Sequence, residues 1–225
     1  MKTPEHKPWF YRNLPNAVSL LGVLPLALLT LEDGAMFLIP LMIYNNFMDD
    51  LDGQLAVKLD LKSDFGATLD NICDVVAHVI FVIVVGTRYD VACTALCIVA
   101  IAAILLRITS RVVPGPKRSG GSPTNELMRH IVLVLIATDT LGWSASPFLI
   151  AVFALNAVSM LVPYPLPHLI RSQLTSTIGV AMVNAILLVA WLTPVTAPWI
   201  AVAFGVPFLY SLTIGGIGWL RRSER

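Results

Sequence analysis

An all-α bundle that crosses a lipid bilayer about eight times is the fold class this sequence predicts, and three observations predict it. The 225 residues have a mean hydropathy of +0.78, with 56% hydrophobic and 13% charged residues, about half the charge that soluble domains carry. Apolar runs of spanning or near-spanning length recur at about 16–31, 35–57, 66–87, 90–113, 126–141, 147–163, 174–193 and 197–220. With eight spans and a cytoplasmic N-terminus, 14 of the 15 Lys and Arg residues fall on the cytoplasmic side and only Arg88 does not. Glu32, Asp33, Asp90 and Asp139 lie on the other side, so the pattern is strongly positive-inside.

Taken in order, the N-terminal MKTPEHKPWFYRNLPN is polar, and no small-residue cleavage signal follows the first run, which is read as a retained span. The second and third runs flank the loop KLDLKSD and carry a cluster of acids. The fourth ends in Arg107 and Arg111, and the turn-rich loop PGPKRSGGSPTNE follows it. That loop is either solvated or an anion-binding loop beside the acids. Asp139 closes the fifth run in the outer interface. Trp143, Trp191, Trp199 and Trp219 near span ends are interface anchors. Asn156 and Asn184 are interhelical hydrogen-bonders. The last two runs, about 174–220, form a pair appended to a six-helix core, and residues 1–225 make one membrane domain. Cys73, Cys93 and Cys97 lie in apolar runs without a C-x-x-C, which leaves them as small buried hydrophobes and excludes a disulfide framework or zinc knuckle. No basic, aromatic-interleaved patch points to nucleic acid.

The acids between 49 and 74 are the informative part. A carboxylate at membrane depth costs roughly 2.5–3.5 kcal/mol on insertion scales, and several together repel unless a cation compensates. Asp49 and Asp52 are i, i+3; Asp49, Gly53 and Ala56 are i, i+4, i+7; Gly66, Asp70 and Asp74 are i, i+4, i+8. Each set occupies one helix face. Two carboxylate-bearing faces joined by a short loop can clamp a divalent cation, and oxygen-only ligands favour Mg²⁺ or Mn²⁺ over zinc. Small Gly53, Ala56 and Gly66 let the helices, or a ligand, approach closely. Asp50, off that face, and Asp60, in the loop, are read as solvated acids, and Asp64 as the N-cap of the third run. His78 is one turn beyond Asp74, either beside the site or a hydrogen-bonded core histidine.

The arrangement resembles the signature of the CDP-alcohol phosphotransferases, D-x-x-D-G-x-x-A-R, eight residues, then G-x-x-x-D-x-x-x-D. Here it reads Asp49, Asp52, Gly53, Ala56, then Gly66, Asp70 and Asp74 with every spacing kept, and Val57 stands where the family has arginine. PNAVS at Pro15 to Ser19 is similar to the entry of the family's first span. FGATLDNICDVVAHV resembles the third span of the phosphatidylserine synthase branch, and TLDN also occurs in the phosphatidylcholine synthase branch. PYPLPHLIR resembles both, and Arg107 to Arg111 with GGSP loosely resembles the serine branch.

The resemblance implies a metal pair on Asp49, Asp52, Asp70 and Asp74, with Asp74 as general base. It also implies a CDP-donor subsite at Gly53, Ala56 and Gly66, in which Lys58, Arg107 or another cation replaces the missing arginine, or activity is weakened. The implied reaction moves a phosphatidyl group from CDP-diacylglycerol to a small alcohol and releases CMP, in a homodimer of the cytoplasmic membrane with both termini in the cytosol. Arg107 and Arg111, four apart at a helix end, suit the carboxylate of serine through bidentate hydrogen bonds. Choline would want an aromatic cage, and no aromatic residue lies between Tyr89 and Trp143. Glycerol 3-phosphate and inositol phosphate are anionic alternatives that the same cations could serve. Two other readings stay open. One is a non-catalytic nucleotide or lipid binder, motivated by Val57. The other is a transporter, which predicts an echo of the acidic motif in residues 113–225, and none is found there.

Overall fold

The computed structural model describes residues 8–113, 121–170 and 177–223. The orientation expectations placed on Lys2, Lys7, Lys117, Arg118, Arg171 and Arg225, and the PGPKRSG stretch of the loop, lie outside them. Every regular element among the described residues is helical, and the protein is an all-α, multi-pass membrane protein as predicted. Asp64–Gly86, Val91–Val112 and Pro194–Arg222 are long and apolar enough to cross a membrane, whereas Leu14–Thr30, Ser146–Leu161 and Thr177–Leu192 are shorter apolar helices. The chain divides into two compact units, one up to Ile80 and one from Phe81.

In the first unit, α1 (Trp9–Arg12) and α2 (Leu14–Val23) are followed by 3₁₀ turns over Leu24–Thr30 and Gly34–Phe37, then α3 (Leu38–Lys58) and the start of α4 (Asp64–Gly86). Pro25 stands at the point where α2 tightens into the 3₁₀ segment, as expected of a residue without a backbone donor. The buried residues of α2 are Pro15, Val18, Ser19 and Gly22, a single helical stripe laid on α3. The helices pack closely at Gly22, where a Cβ would sit 3.1 Å from Met48 Cβ. The Tyr44 hydroxyl donates to the Leu21 carbonyl at 3.1 Å, and Asn45 Nδ2 to that of Gly22 at 3.3 Å.

α3 ends in a reversing turn. Leu61 N–H donates to Ala56 O at 2.9 Å and Asp60 N–H to Val57 O at 3.3 Å, around Asp60 at φ +54°. This is the Schellman pattern with aspartate in the left-handed position that glycine usually takes. α4 then starts under the cap of Ser63, whose hydroxyl accepts the Gly66 N–H at 3.0 Å. The cap was expected at Asp64; the serine one residue earlier holds it, and Asp64 occupies the first turn, where a carboxylate suits the helix dipole.

The second unit continues α4 and adds α5 (Val91–Val112), α6 (Thr124–Leu141), α7 (Ser146–Leu161), α8 (Thr177–Leu192) and α9 (Ala197–Ser223). α5 and α7 form its most extensive helix pair, and α6 packs on α7, α8 and α9. Cys93, Cys97, Ala100, Ala103, Ile104 and Arg107 make the buried stripe of α5; the three cysteines are free and buried, as expected. The α4–α5 corner is tightly specified. Asp90 caps α5 by accepting the Cys93 N–H at 2.9 Å and also accepts from the Ser146 hydroxyl. The Ser146 bond, and then the Cys93 N–H, hold the exposed Asp90 carboxyl below its usual range. This interaction is therefore present at neutral pH and is lost as pH falls below that range.

Gly86 sits in this corner with its carbonyl accepting from Thr94 at 3.2 Å, and a Cβ there would lie 2.3 Å from Cys97 Cβ. Gly86→Ala should therefore destabilise the protein by about 1–3 kcal/mol, the usual cost of overpacking. Gly205, whose added Cβ would meet nothing within 4 Å, is the control, and Gly205→Ala should be neutral or slightly stabilising. Unfolding midpoints of the purified variants in detergent distinguish the two; equal midpoints would remove the packing explanation.

Candidate functional site

The carboxylates of Asp49, Asp70 and Asp74 converge, each offering an oxygen within 4.8 Å of the others. All three are half-buried. Asp52 is buried at 4% exposure and is turned to the hydroxyl of Ser19, which donates to it. All four aspartates nonetheless border one small cavity of about 10 Å³, together with Ser19, Asn45 and Cys73. That is the space of about one water-sized particle. The helical registers account for this convergence, since α3 and α4 run in opposite directions from a common loop and each turns one acidic face inward.

A cleft of about 480 Å³ adjoins the acids, and Ser19, Asp52 and Asp70 border both spaces. The donor-side residues expected from the sequence separate here. Gly53, Ala56 and Gly66 line the cleft, as does Val57, but Lys58 does not; the cation on the wall is Lys62. The small residues leave room for a ligand in the cleft that they line. Gly53 has nothing within 4 Å of an added Cβ, whereas a Cβ on Gly66 would lie 3.0 Å from both Asn16 Oδ1 and Ser63 Oγ.

Asn16 and Ser19 were not assigned roles from sequence. Their signal was present: two polar residues three apart at the entry of an otherwise apolar span, hence on one face. Asn16 is held by its Nδ2 bond to Asn13 Oδ1 at 3.1 Å, and Asn13 Nδ2 in turn donates to Trp9 O at 3.0 Å. Asp60 is exposed as expected. Asp50 is not: it is buried at 5% exposure, because the C-terminal half of α3 is covered on more than the Asp49 face, Asn46 one turn earlier being buried with it. His78 is buried at 2% exposure.

The tentative acceptor pair lies in the second unit. Arg107 is buried and donates from Nη1 to Met160 O at 3.2 Å, in the last turn of α7, while Arg111 is exposed. Gly121 and Ser122 close the same helix end, donating their N–H groups to Tyr164 O and Ser159 O at 2.8 Å each. Asn156 bonds across to His130 Nδ1 at 3.2 Å, as an interhelical role requires, and Asn184 donates to Val180 O at 3.1 Å. Sequence reasoning passed over one further polar feature, the ion pair of Arg129 with Glu126 at 2.9 Å, both fully buried on α6.

The donor set fits a hard divalent cation: every clustered ligand is a carboxylate oxygen, and the cavity between them is ion-sized. Gly53→Ala should leave the fold intact and weaken whatever occupies the cleft, while Gly66→Ala should lower stability by displacing Asn16 or Ser63. Thermal unfolding with and without added nucleotide measures both; a loss of unliganded stability in Gly53→Ala comparable to that in Gly66→Ala would contradict the assignment.

The sequence profile of the CDP-alcohol phosphatidyltransferase family matches residues 12–207. Comparison with curated protein sequences finds no match.

Proposed function

The chain belongs to the CDP-alcohol phosphatidyltransferase family, and from that premise we propose that it transfers the phosphatidyl group of CDP-diacylglycerol to L-serine and releases CMP. Phosphatidyl transfer from a CDP-alcohol and a membrane setting follow from the family; the donor lipid, the acceptor and the residue roles are this reading's own. The observation that carries it is the three-carboxylate cluster beside a cleft large enough for a nucleotide head.

In this reading Asp49, Asp52, Asp70 and Asp74 hold Mg²⁺ or Mn²⁺, in keeping with a family that generally depends on divalent metals. When bound, the metal neutralises the diphosphate and the charge that builds up during phosphoryl transfer. The chain's own residues do the rest. The cleft walls at Gly53, Ala56 and Gly66 receive the cytidine diphosphate, and Ser19 fixes Asp52. Asp74 takes the proton of the acceptor hydroxyl as its oxygen bonds to the phosphatidyl phosphorus, and the bond to the CMP oxygen breaks. Serine is favoured because its carboxylate needs a cation so near a cluster of acids. Arg107 and Arg111, four residues apart on α5, are the cations this reading gives to that carboxylate. The active form is a homodimer in the cytoplasmic membrane with the site facing the cytosol. The second reading, a binder without turnover, is favoured by one observation: Val57 presents no charge to the cleft.

Membranes given CDP-diacylglycerol and labelled serine, choline, glycerol 3-phosphate or inositol phosphate should label phosphatidylserine, and chelation should abolish the transfer. Choline transfer without serine transfer overturns the acceptor; transfer surviving rigorous metal removal overturns the metal role; CDP binding without any transfer supports the binder.

Asp74→Asn should lower kcat by about 10²–10⁴-fold, the usual contribution of a general base. Asp49→Asn and Asp70→Asn should first weaken the response to Mn²⁺, read as the metal concentration giving half-maximal rate. Asp60→Asn should be silent in both assays. Equal damage at Asp60 and Asp74 would show the register to be wrong.

A further inference from the structure

The cleft beside the carboxylate cluster is lined by three acids, Asp52, Asp64 and Asp70, and by one cation among the described residues, Lys62. A nucleoside diphosphate brings about two negative charges of its own. A divalent cation held by the acids would neutralise only part of it; the rest needs positive charge fixed by the protein on the cleft lining. At the signature position on that lining stands Val57, 57% exposed and uncharged, and its neighbour Lys58 is not part of the cleft lining.

Resting on the donor reading given above and deepening it, we propose that Lys62 binds the diphosphate of the CDP donor in place of an arginine at position 57. The turn that ends α3 makes this possible. With Asp60 in the left-handed region, the bond from Leu61 N–H to Ala56 O at 2.9 Å folds the chain back along the last turn of α3. Leu61 and Lys62 thereby return to the wall formed by Ala56 and Val57. Ser63 then caps α4 through the Gly66 N–H, so Lys62 stands next to the N-terminus of a 23-residue helix, whose dipole also favours an anion. A lysine acts there as a point charge on a long stem and contributes affinity without the two-pronged geometry of arginine.

Binding of CDP to the purified full chain, with Mn²⁺ present, tests this directly by equilibrium titration alongside CDP-diacylglycerol kinetics. Removal of one charged contact should weaken CDP about tenfold in Lys62→Gln and raise the donor KM similarly, with kcat changed little. Lys62→Arg should retain affinity, Lys58→Gln should match the parent, and Val57→Arg added to Lys62→Gln should recover much of the loss. The dependence of affinity on salt should also be shallower in Lys62→Gln. Lys62 is exposed, so unfolding midpoints should not move. Unchanged CDP affinity in Lys62→Gln, with a parent that binds, overturns the inference and leaves the donor reading intact. A weakening at Lys58→Gln instead assigns the charge to that residue and also overturns it. A parent protein that binds no CDP removes the donor reading and the inference with it.

Discussion

Mutual repulsion among Asp49, Asp70 and Asp74 is the constraint around which the first unit is built. Carboxylate oxygens within 4.8 Å of one another, if ionised, would repel by roughly 3 kcal/mol per pair at an effective dielectric near 20. What fixes them is the packing behind. α2 lies on α3 along the Pro15, Val18, Ser19 and Gly22 stripe, Gly22 allows the approach, and Tyr44 and Asn45 tie the two backbones. Ser19 draws Asp52 out of the three-acid cluster, which lowers the charge density at its centre. The arrangement is well formed for receiving a cation.

The second unit solves a different problem with similar means. α6 is buried along most of its length yet carries Glu126, Arg129 and His130. The Glu126–Arg129 pair, 2.9 Å apart, offsets its own desolvation only in part, and loss of one partner alone is costly because a buried charge is then left over. Arg107 is less a free cation than its sequence position implied. Its bond to Met160 O, with Gly121 and Ser122 on neighbouring carbonyls, makes it part of the closure of α7, where a cation also complements the negative end of the helix dipole.

Much of this was legible in the sequence because it depends on periodicity. The eight apolar runs correspond to helical segments of the structure, and the i, i+4, i+8 spacing of Gly66, Asp70 and Asp74 brought them to one face. Less legible was everything set by loop geometry or by a third element. Lys58 adjoins Val57 but lies about 100° further round the helix, and which other cation could serve was not readable, because a left-handed Asp60 is what brings Lys62 to the cleft lining. Ser63 rather than Asp64 caps α4 because both are good capping residues and only the backbone decides. Asp50 reads as solvated on a wheel of α3 alone; its burial comes from what covers α3, which no local pattern states.

The register of the acids also explains how a charged site is tolerated in so apolar a chain. Asp52 lies six residues before the end of α3 and Asp70 six residues after the start of α4, each about 9 Å from the polar loop at 1.5 Å per residue. Asp49 and Asp74 lie nine and ten residues in, about 14–15 Å by the same rise. The four therefore form two matched levels on antiparallel helices, a shallow one bordering the cleft and a deeper one in the ion-sized cavity. A ligand entering from the loop side meets Lys62 and the small residues before it reaches the deepest carboxylates. At the loop level the cleft is lined by Lys62 and Asp64 together, and further along the two helices by Asp52 and Asp70, so one cation faces a polyanionic ligand among three acids.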